Sequence, residues 1–95
     1  MIKHIVFFKL KDGSQENITK TKDVLLSMKG KIPVVRHIEV GIDVLRSERS
    51  YDLSLIIEVD SLEDLDQYQI HPVHKEIISY IGSVKESVVV VDYEF

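Results

Sequence analysis

The sequence predicts an α+β fold in which strands and helices follow one another in the order β-α-β-β-α-β. The chain begins with a stretch, 1–10, that is apolar on both faces, and it ends with a stretch, 87–95, that contains a continuous run of valines. Two alternating stretches and two helical stretches lie between them. This order is that of a ferredoxin-like monomer, with an antiparallel sheet of strand order 4-1-3-2 and helices on one face. The length, 95 residues, is typical of one domain, so we expect residues 1–95 to form a single unit.

The first strand and first helix are predicted from apolar patterning and a cap residue. Positions 1–10 are apolar at both parities, with His4 among the apolar even positions, which indicates a strand covered on both faces. Ser14 is suited to be the N-cap of the following helix, and Gly30 is expected near its end. The apolar stripe of this helix consists of Ile18, Val24, Leu25 and Met28.

A hairpin is predicted in the middle of the chain. Residues 34–42 alternate between apolar and polar positions, as expected of an edge strand. Residues 51–59 alternate in the same way and are expected to pair with them. The connection at 43–50 is polar.

The second helical region is expected to break at a proline. Ser61 lies three residues before Asp64, the spacing of a capping box. Pro72 has no backbone N–H and biases His71 away from helical geometry. One segment should therefore end near Ile70, and the next should start at Pro72 or Val73 and end near Gly82. The first segment is expected to point Leu62, Leu65 and Tyr68 inward.

The final strand, 87–95, contains the continuous valine run 88–91. Helices on one side of the sheet leave its other face uncovered. Because the first and last strands are apolar on both sides, we expect a second copy to pack there and form a homodimer.

The helix junction carries most of the chemistry-bearing side chains. Tyr68, His71 and His74 lie within seven positions of one another, and His74 shares a helical face with Ile77 and Ile81. A histidine on an apolar face is more often a packed core residue than a catalyst, so both interpretations stay open for Tyr68 and His74. His71 is expected to make local hydrogen bonds.

Strand topology places a second pair together. Antiparallel pairing of the first and last strands brings His4 near Asp92, whose carboxylate would then fix the imidazole tautomer. The alternative is an ion pair at the strand ends without function.

Composition argues against several classes of function. The net charge is −4 and the basic residues are scattered, so a nucleic-acid partner is not expected. The chain has no cysteine, and its first apolar run, 5–8, is too short for a signal peptide or a membrane span. We expect a cytoplasmic protein without a cofactor. A metal site using His71 and His74 is disfavoured because the two histidines straddle the proline junction and Glu76 is the only carboxylate near them, whereas zinc sites have three or four ligands.

Four segments together carry a resemblance to a known family: 4–10, 41–43, 68–74 with its His-Pro-x-His junction, and 91–93. They resemble the stress-responsive dimeric α/β-barrel (Dabb) family. The resemblance spans nearly the whole chain and implies a ferredoxin-like monomer that dimerises through its sheet into an α/β barrel.

The resemblance also implies possible roles. By analogy with a polyketide cyclase of that family, His74 would be a general base that removes a proton next to a carbonyl. Tyr68 would hold the substrate or the enolate oxygen, and His4 and Asp92 would support them. The sequence departs from that enzyme in lacking aromatic residues on the first helix and in having Leu53 where the enzyme has a histidine. The alternatives are a stress-response protein of uncertain activity with a cleft for a small apolar ligand, and a cofactor-independent monooxygenase.

Overall fold

The computed structural model describes residues 1–95, which form a four-stranded antiparallel sheet covered on one face by three helices. The strands are β1 (Ile2–Leu10), β2 (His37–Ile42), β3 (Leu53–Val59) and β4 (Lys85–Glu94); the helices are α1 (Gln15–Leu26), α2 (Leu62–Ile70) and α3 (Pro72–Val84). The strand order β2-β3-β1-β4 is the predicted order 4-1-3-2, counted from the other edge. The ferredoxin-like α+β fold is therefore confirmed. None of the three helices has the length and apolar character needed to cross a membrane.

The central strand β1 divides its side chains between two environments. Its even-numbered residues are buried beneath the helices, whereas none of its odd-numbered residues is fully buried. Residues directly opposite each other in an antiparallel pair project to the same face. Because His4 lies opposite Ile57 and Asp92, these three residues share the helix-covered face. The core beneath the helices consists of Ile2, Val6, Phe8, Leu10, Ile18, Leu25, Met28, Ile32, Leu53, Leu55, Ile57, Val59, Leu65, Tyr68, Ile77 and Ile81.

The opposite face of the sheet is apolar and uncovered within one chain. Phe7 of β1 is 45% exposed and Val91 of β4 is 62% exposed. The apolar side chains that share this face by register are Ile5, Phe7, Ile56, Val89, Val91 and Tyr93. A contiguous apolar surface of this kind is typical of an interaction site in a folded protein. Within one chain β1 and β4 are therefore covered on one face only, and covering their other face requires a second molecule.

The predicted helix caps are confirmed. The Ser14 side chain accepts a hydrogen bond from the Asn17 N–H, and that of Ser61 accepts one from Asp64 N–H. His71, in extended geometry between α2 and α3, accepts at Nδ1 from the N–H of Val73 at 3.1 Å.

Several predicted boundaries are wrong. Helix α3 continues through Gly82 to Val84, and it ends there because Lys85 already pairs with Leu10 in the sheet. Strand β2 begins at His37 rather than residue 34, because the chain still turns where the N–H of Val35 donates to the carbonyl of Ile32.

Two smaller differences lie at the starts of other elements. Strand β3 begins at Leu53, two residues later than predicted. Leu62 is 63% exposed instead of pointing inward, because it occupies the first position of α2 at the helix end.

A buried carboxylate anchors the β2–β3 connection to the end of β1. Asp52 is 5% exposed, and its Oδ2 accepts from the N–H of Leu10 at 2.8 Å. Its Oδ1 accepts from Nη2 of Arg46, also at 2.8 Å. Arg46 has a φ of 54°, a left-handed conformation that is uncommon outside glycine, and its own N–H donates to Oδ2 of Asp43. The loop conformation and the buried carboxylate therefore depend on each other.

We predict that Asp52→Ala lowers the free energy of unfolding by about 1.5–3 kcal/mol, because it leaves the Leu10 N–H without its charged acceptor. Arg46→Met should cost less than Asp52→Ala, since the Arg46 guanidinium is partly exposed and the Leu10 N–H keeps its acceptor. Urea denaturation of both variants measures the difference. Equal losses would show that the bond to the Leu10 N–H contributes nothing.

Candidate functional site

A cavity of about 240 Å³ lies between the helices and the β1–β4 side of the sheet. Sixteen residues line it, of which 11 are hydrophobic. The remaining lining residues are His4, Gln69, His74, Gly82 and Lys85. The cavity is therefore mostly apolar, with a few polar groups on its wall, which is the usual character of a small-molecule site.

The break at Pro72 brings Tyr68 and His74 together. Tyr68 lies on the inner face of α2, three residues after the buried Leu65, and His74 lies in the first turn of α3. Their ring centroids are 4.5 Å apart with a tilt of 56°. On the other side of Tyr68, the ring of His4 lies 5.8 Å away in an edge-on arrangement. One phenol is thus flanked by two imidazoles.

The half-buried His74 is held in one tautomer by the end of α2. Its Nδ1 lies 3.0 Å from the carbonyl oxygen of Gln69. A carbonyl only accepts hydrogen bonds, so Nδ1 carries the proton and Nε2 keeps a free lone pair. Burial lowers the pKa of His74 below its ordinary value of 6.5; the Gln69 carbonyl opposes this effect and the nearby His4 adds to it. At neutral pH His74 is therefore an uncharged imidazole able to accept a proton.

Tyr68 is a protonated hydrogen-bond donor with a weak partner. It is 1% exposed, and burial raises the pKa of its hydroxyl above the usual value of 10.0. The hydroxyl donates to Sδ of Met28 at 3.9 Å. Because a thioether sulfur is a poor acceptor, a ligand oxygen in the cavity would be a better one.

His4 is oriented by Asp92 across the β1–β4 pair. Nδ1 of His4 lies 2.5 Å from Oδ1 of Asp92, as the predicted strand pairing requires. His4 is buried and lines the cavity, whereas Asp92 is partly exposed and does not line it. Asp92 thus acts on the cavity only through the imidazole of His4.

The structure brings three of the four predicted site residues to one cavity wall, and the fourth contacts it through His4. His71 is elsewhere engaged, as the cap of α3. No three histidine, aspartate or glutamate side chains are grouped so that they could hold a metal ion.

The prediction missed Gln69, Gly82 and Lys85. For Gly82 a signal existed, because a glycine within an apolar helical pattern can border a cavity as well as end a helix. From the sequence we predict only the helix end. Gln69 and Lys85 had no signal in the sequence. The hydrogen bond from His74 to the Gln69 carbonyl and the position of Lys85 on the cavity wall both depend on how separate elements pack.

We predict that the imidazole of His74 titrates below pH 6.5 in the folded protein. The unfolded chain then takes up this proton at higher pH than the folded protein does, so lowering the pH from 6.5 reduces the free energy of unfolding. The contribution is fully present above 6.5 and is lost as the pH falls towards the pKa of the folded state. NMR titration of the imidazole protons measures the midpoint, with the same titration in urea as the control. A folded-state midpoint above 6.5 would contradict the assignment.

Comparisons with known proteins agree with this architecture. The family model described as Stress responsive A/B Barrel Domain (Dabb) matches residues 2–95. An uncharacterized protein of Streptomyces coelicolor is 28% identical over 98 residues, covering 100% of both chains. Olivetolic acid cyclase of Cannabis sativa is 29% identical over 98 residues, covering 97% of this chain and 94% of the cyclase.

Among solved structures, a dimeric protein of unknown function with a ferredoxin-like fold from Bacteroides fragilis superimposes with a TM-score of 0.84 at 34% identity. The match covers 99% of this chain and 95% of that one.

Proposed function

The chain belongs to the stress responsive A/B barrel domain family, and from this premise we propose that its cavity binds a small carbonyl compound from which His74 removes a proton. The observation that carries the proposal is the contact of the Tyr68 and His74 rings, 4.5 Å apart, on the wall of one mostly apolar cavity. The similarity to olivetolic acid cyclase supports the same class of chemistry.

The proposed step begins at the free Nε2 of His74. Its lone pair takes a proton from the carbon beside the carbonyl, and the electron pair of the broken C–H bond forms an enolate. The Tyr68 hydroxyl donates a hydrogen bond to the enolate oxygen and stabilises the charge that develops there. In a cyclase, the enolate carbon then bonds to a second carbonyl carbon of the same molecule, and the alkoxide takes the proton back from His74.

Two features of the site suit this step. His74 is neutral at pH 7 and Tyr68 is protonated, which are the states required of a base and a donor. His4, held by Asp92, lies against Tyr68 and fixes the position of the phenol ring. Asp92 is thus a positioning residue and His74 the catalytic base of the proposal.

Ligand binding without turnover is the second candidate. It is favoured by the apolar lining and by the deep burial of the Tyr68 hydroxyl against Met28. It would leave the cavity as a binding site of a protein with no reaction of its own. Nothing in the cavity favours the monooxygenase alternative over proton transfer.

The proposed assembly is a homodimer through the open sheet face. The similar Bacteroides fragilis protein is dimeric. In this chain the exposed Phe7, Val91 and Tyr93 form the apolar surface that a second copy would cover. Because the cavity lies on the other side of the sheet, dimerisation leaves it accessible.

We predict that the protein catalyses deuterium exchange at the acidic carbon of small 1,3-diketones. His74→Ala should lower the exchange rate by about 10²–10⁴-fold, the usual contribution of a general base. Tyr68→Phe should lower it by roughly 10²-fold or more through loss of the enolate donor. NMR in D₂O measures both rates, with the exposed His37→Ala as the matched histidine control. An unchanged rate in His74→Ala would exclude proton abstraction by this residue.

We predict that the protein sediments as a dimer and that Val91→Lys shifts it to the monomer, because the substitution places a charge in the centre of an apolar interface. Ile70→Lys is the control, since Ile70 is exposed at the end of α2, on the helix-covered side of the sheet. Analytical ultracentrifugation distinguishes the two species. A wild-type monomer at micromolar concentration would refute the assembly.

A further inference from the structure

One charged side chain, Lys85, lines the cavity besides the histidines. No carboxylate lines it, and Lys85 takes part in none of the salt bridges of the protein. Lys85 is solvent-exposed as well as lining the cavity, so its ammonium group is free to pair with the anionic group of a ligand that lies along the apolar wall. The electrostatics of the cavity therefore favour a negatively charged ligand group near Lys85.

Lys85 lies at the opposite end of the cavity from Tyr68 and His74. It follows the last turn of α3 and pairs with Leu10 at the end of β1, whereas His4 is near the start of that strand. The ten residues of α3 between His74 and Lys85 correspond to a rise of about 15 Å. The wall between the two ends is apolar and includes Ile77, Ile78, Ile81 and Val88. The cavity is thus an apolar passage with a cation at one end and polar groups at the other.

Gly82 borders this passage. It lines the cavity inside α3, one turn before Lys85, and a Cβ built there would meet no atom within 4 Å. Its backbone does not need glycine either, since the only glycine with positive φ is Gly30. A glycine within a helix lowers helix stability relative to alanine. What the missing side chain provides at this position is free space on the cavity wall.

We infer that the cavity takes an unbranched aliphatic oxo acid, with its carboxylate at Lys85, its chain passing Gly82 and its carbonyl at Tyr68 and His74. The placement of the carbonyl rests on the proposed function. The placement of the carboxylate and the chain rests only on the charge, the apolar wall and the glycine.

Binding of octanoate, followed by isothermal titration calorimetry, tests the anion site without any turnover. Lys85→Met should weaken octanoate binding by roughly three- to tenfold, whereas Lys85→Arg should restore most of the affinity. Binding of 1-octanol, which has the same chain without the charge, should not change in Lys85→Met. Lys75→Met is the matched control, because Lys75 is an exposed lysine of α3 that does not line the cavity.

Gly82→Leu tests the passage. Leucine is the better helix former, so the variant should melt a few degrees higher than the wild type. The same side chain should block the passage and weaken the binding of octanoate and 1-octanol at least tenfold. If Gly82→Leu is more stable than the wild type and yet binds both ligands more weakly, the weaker binding comes from the filled passage and not from unfolding.

The outcomes separate this inference from the proposed function. In the wild type, octanoate binding that depends on Lys85, without any diketone exchange, would refute the proposed reaction and support the anion site. No octanoate binding at millimolar concentration, or equal affinity in Lys85→Met and the wild type, would overturn the inference even if exchange occurs. Unchanged binding in Gly82→Leu would overturn the proposed path of the chain.

Discussion

The break between α2 and α3 is the constraint on which the cavity depends. Pro72 cannot donate a backbone hydrogen bond, and His71 before it is extended, with ψ of 137°. Among the last carbonyls of α2, that of Tyr68 accepts from the N–H of His71, and that of Gln69 accepts from Nδ1 of His74. The feature that ends the helix thus also sets the tautomer of the proposed base, and the change of helix direction brings His74 against Tyr68.

The sheet supplies the other half of the site. The two-residue period of β1 puts His4 among buried apolar side chains, where an imidazole needs a partner. The antiparallel register with β4 provides that partner as Asp92, directly opposite. The same register leaves apolar side chains on the far face of the sheet. The pairing of β1 with β4 therefore orients the His4 imidazole towards the cavity and also forms the apolar surface proposed for dimerisation.

The fold and much of the site were predictable because local rules agree with one another along this chain. The caps Ser14 and Ser61 and the proline at 72 marked helix starts, and strand alternation predicted the sheet order through standard handedness. The errors concern element boundaries: Gly82 resembles a helix terminus by residue type, but the start of β4 ends the helix two residues later. Residues 34 and 35 have strand-like side chains, but a turn determines their backbone conformation.

The sequence alone determined the element order, the helix break at Pro72 and the proximity of His4 to Asp92, because each follows from backbone chemistry and side-chain period. Only the tertiary structure decided that His4, Tyr68 and His74 border one cavity, that Gln69 accepts from His74, and that Gly82 and Lys85 lie on the same wall. These relations join residues on separate elements. Their distances depend on how the helices pack on the sheet, and a linear pattern carries no information about that packing.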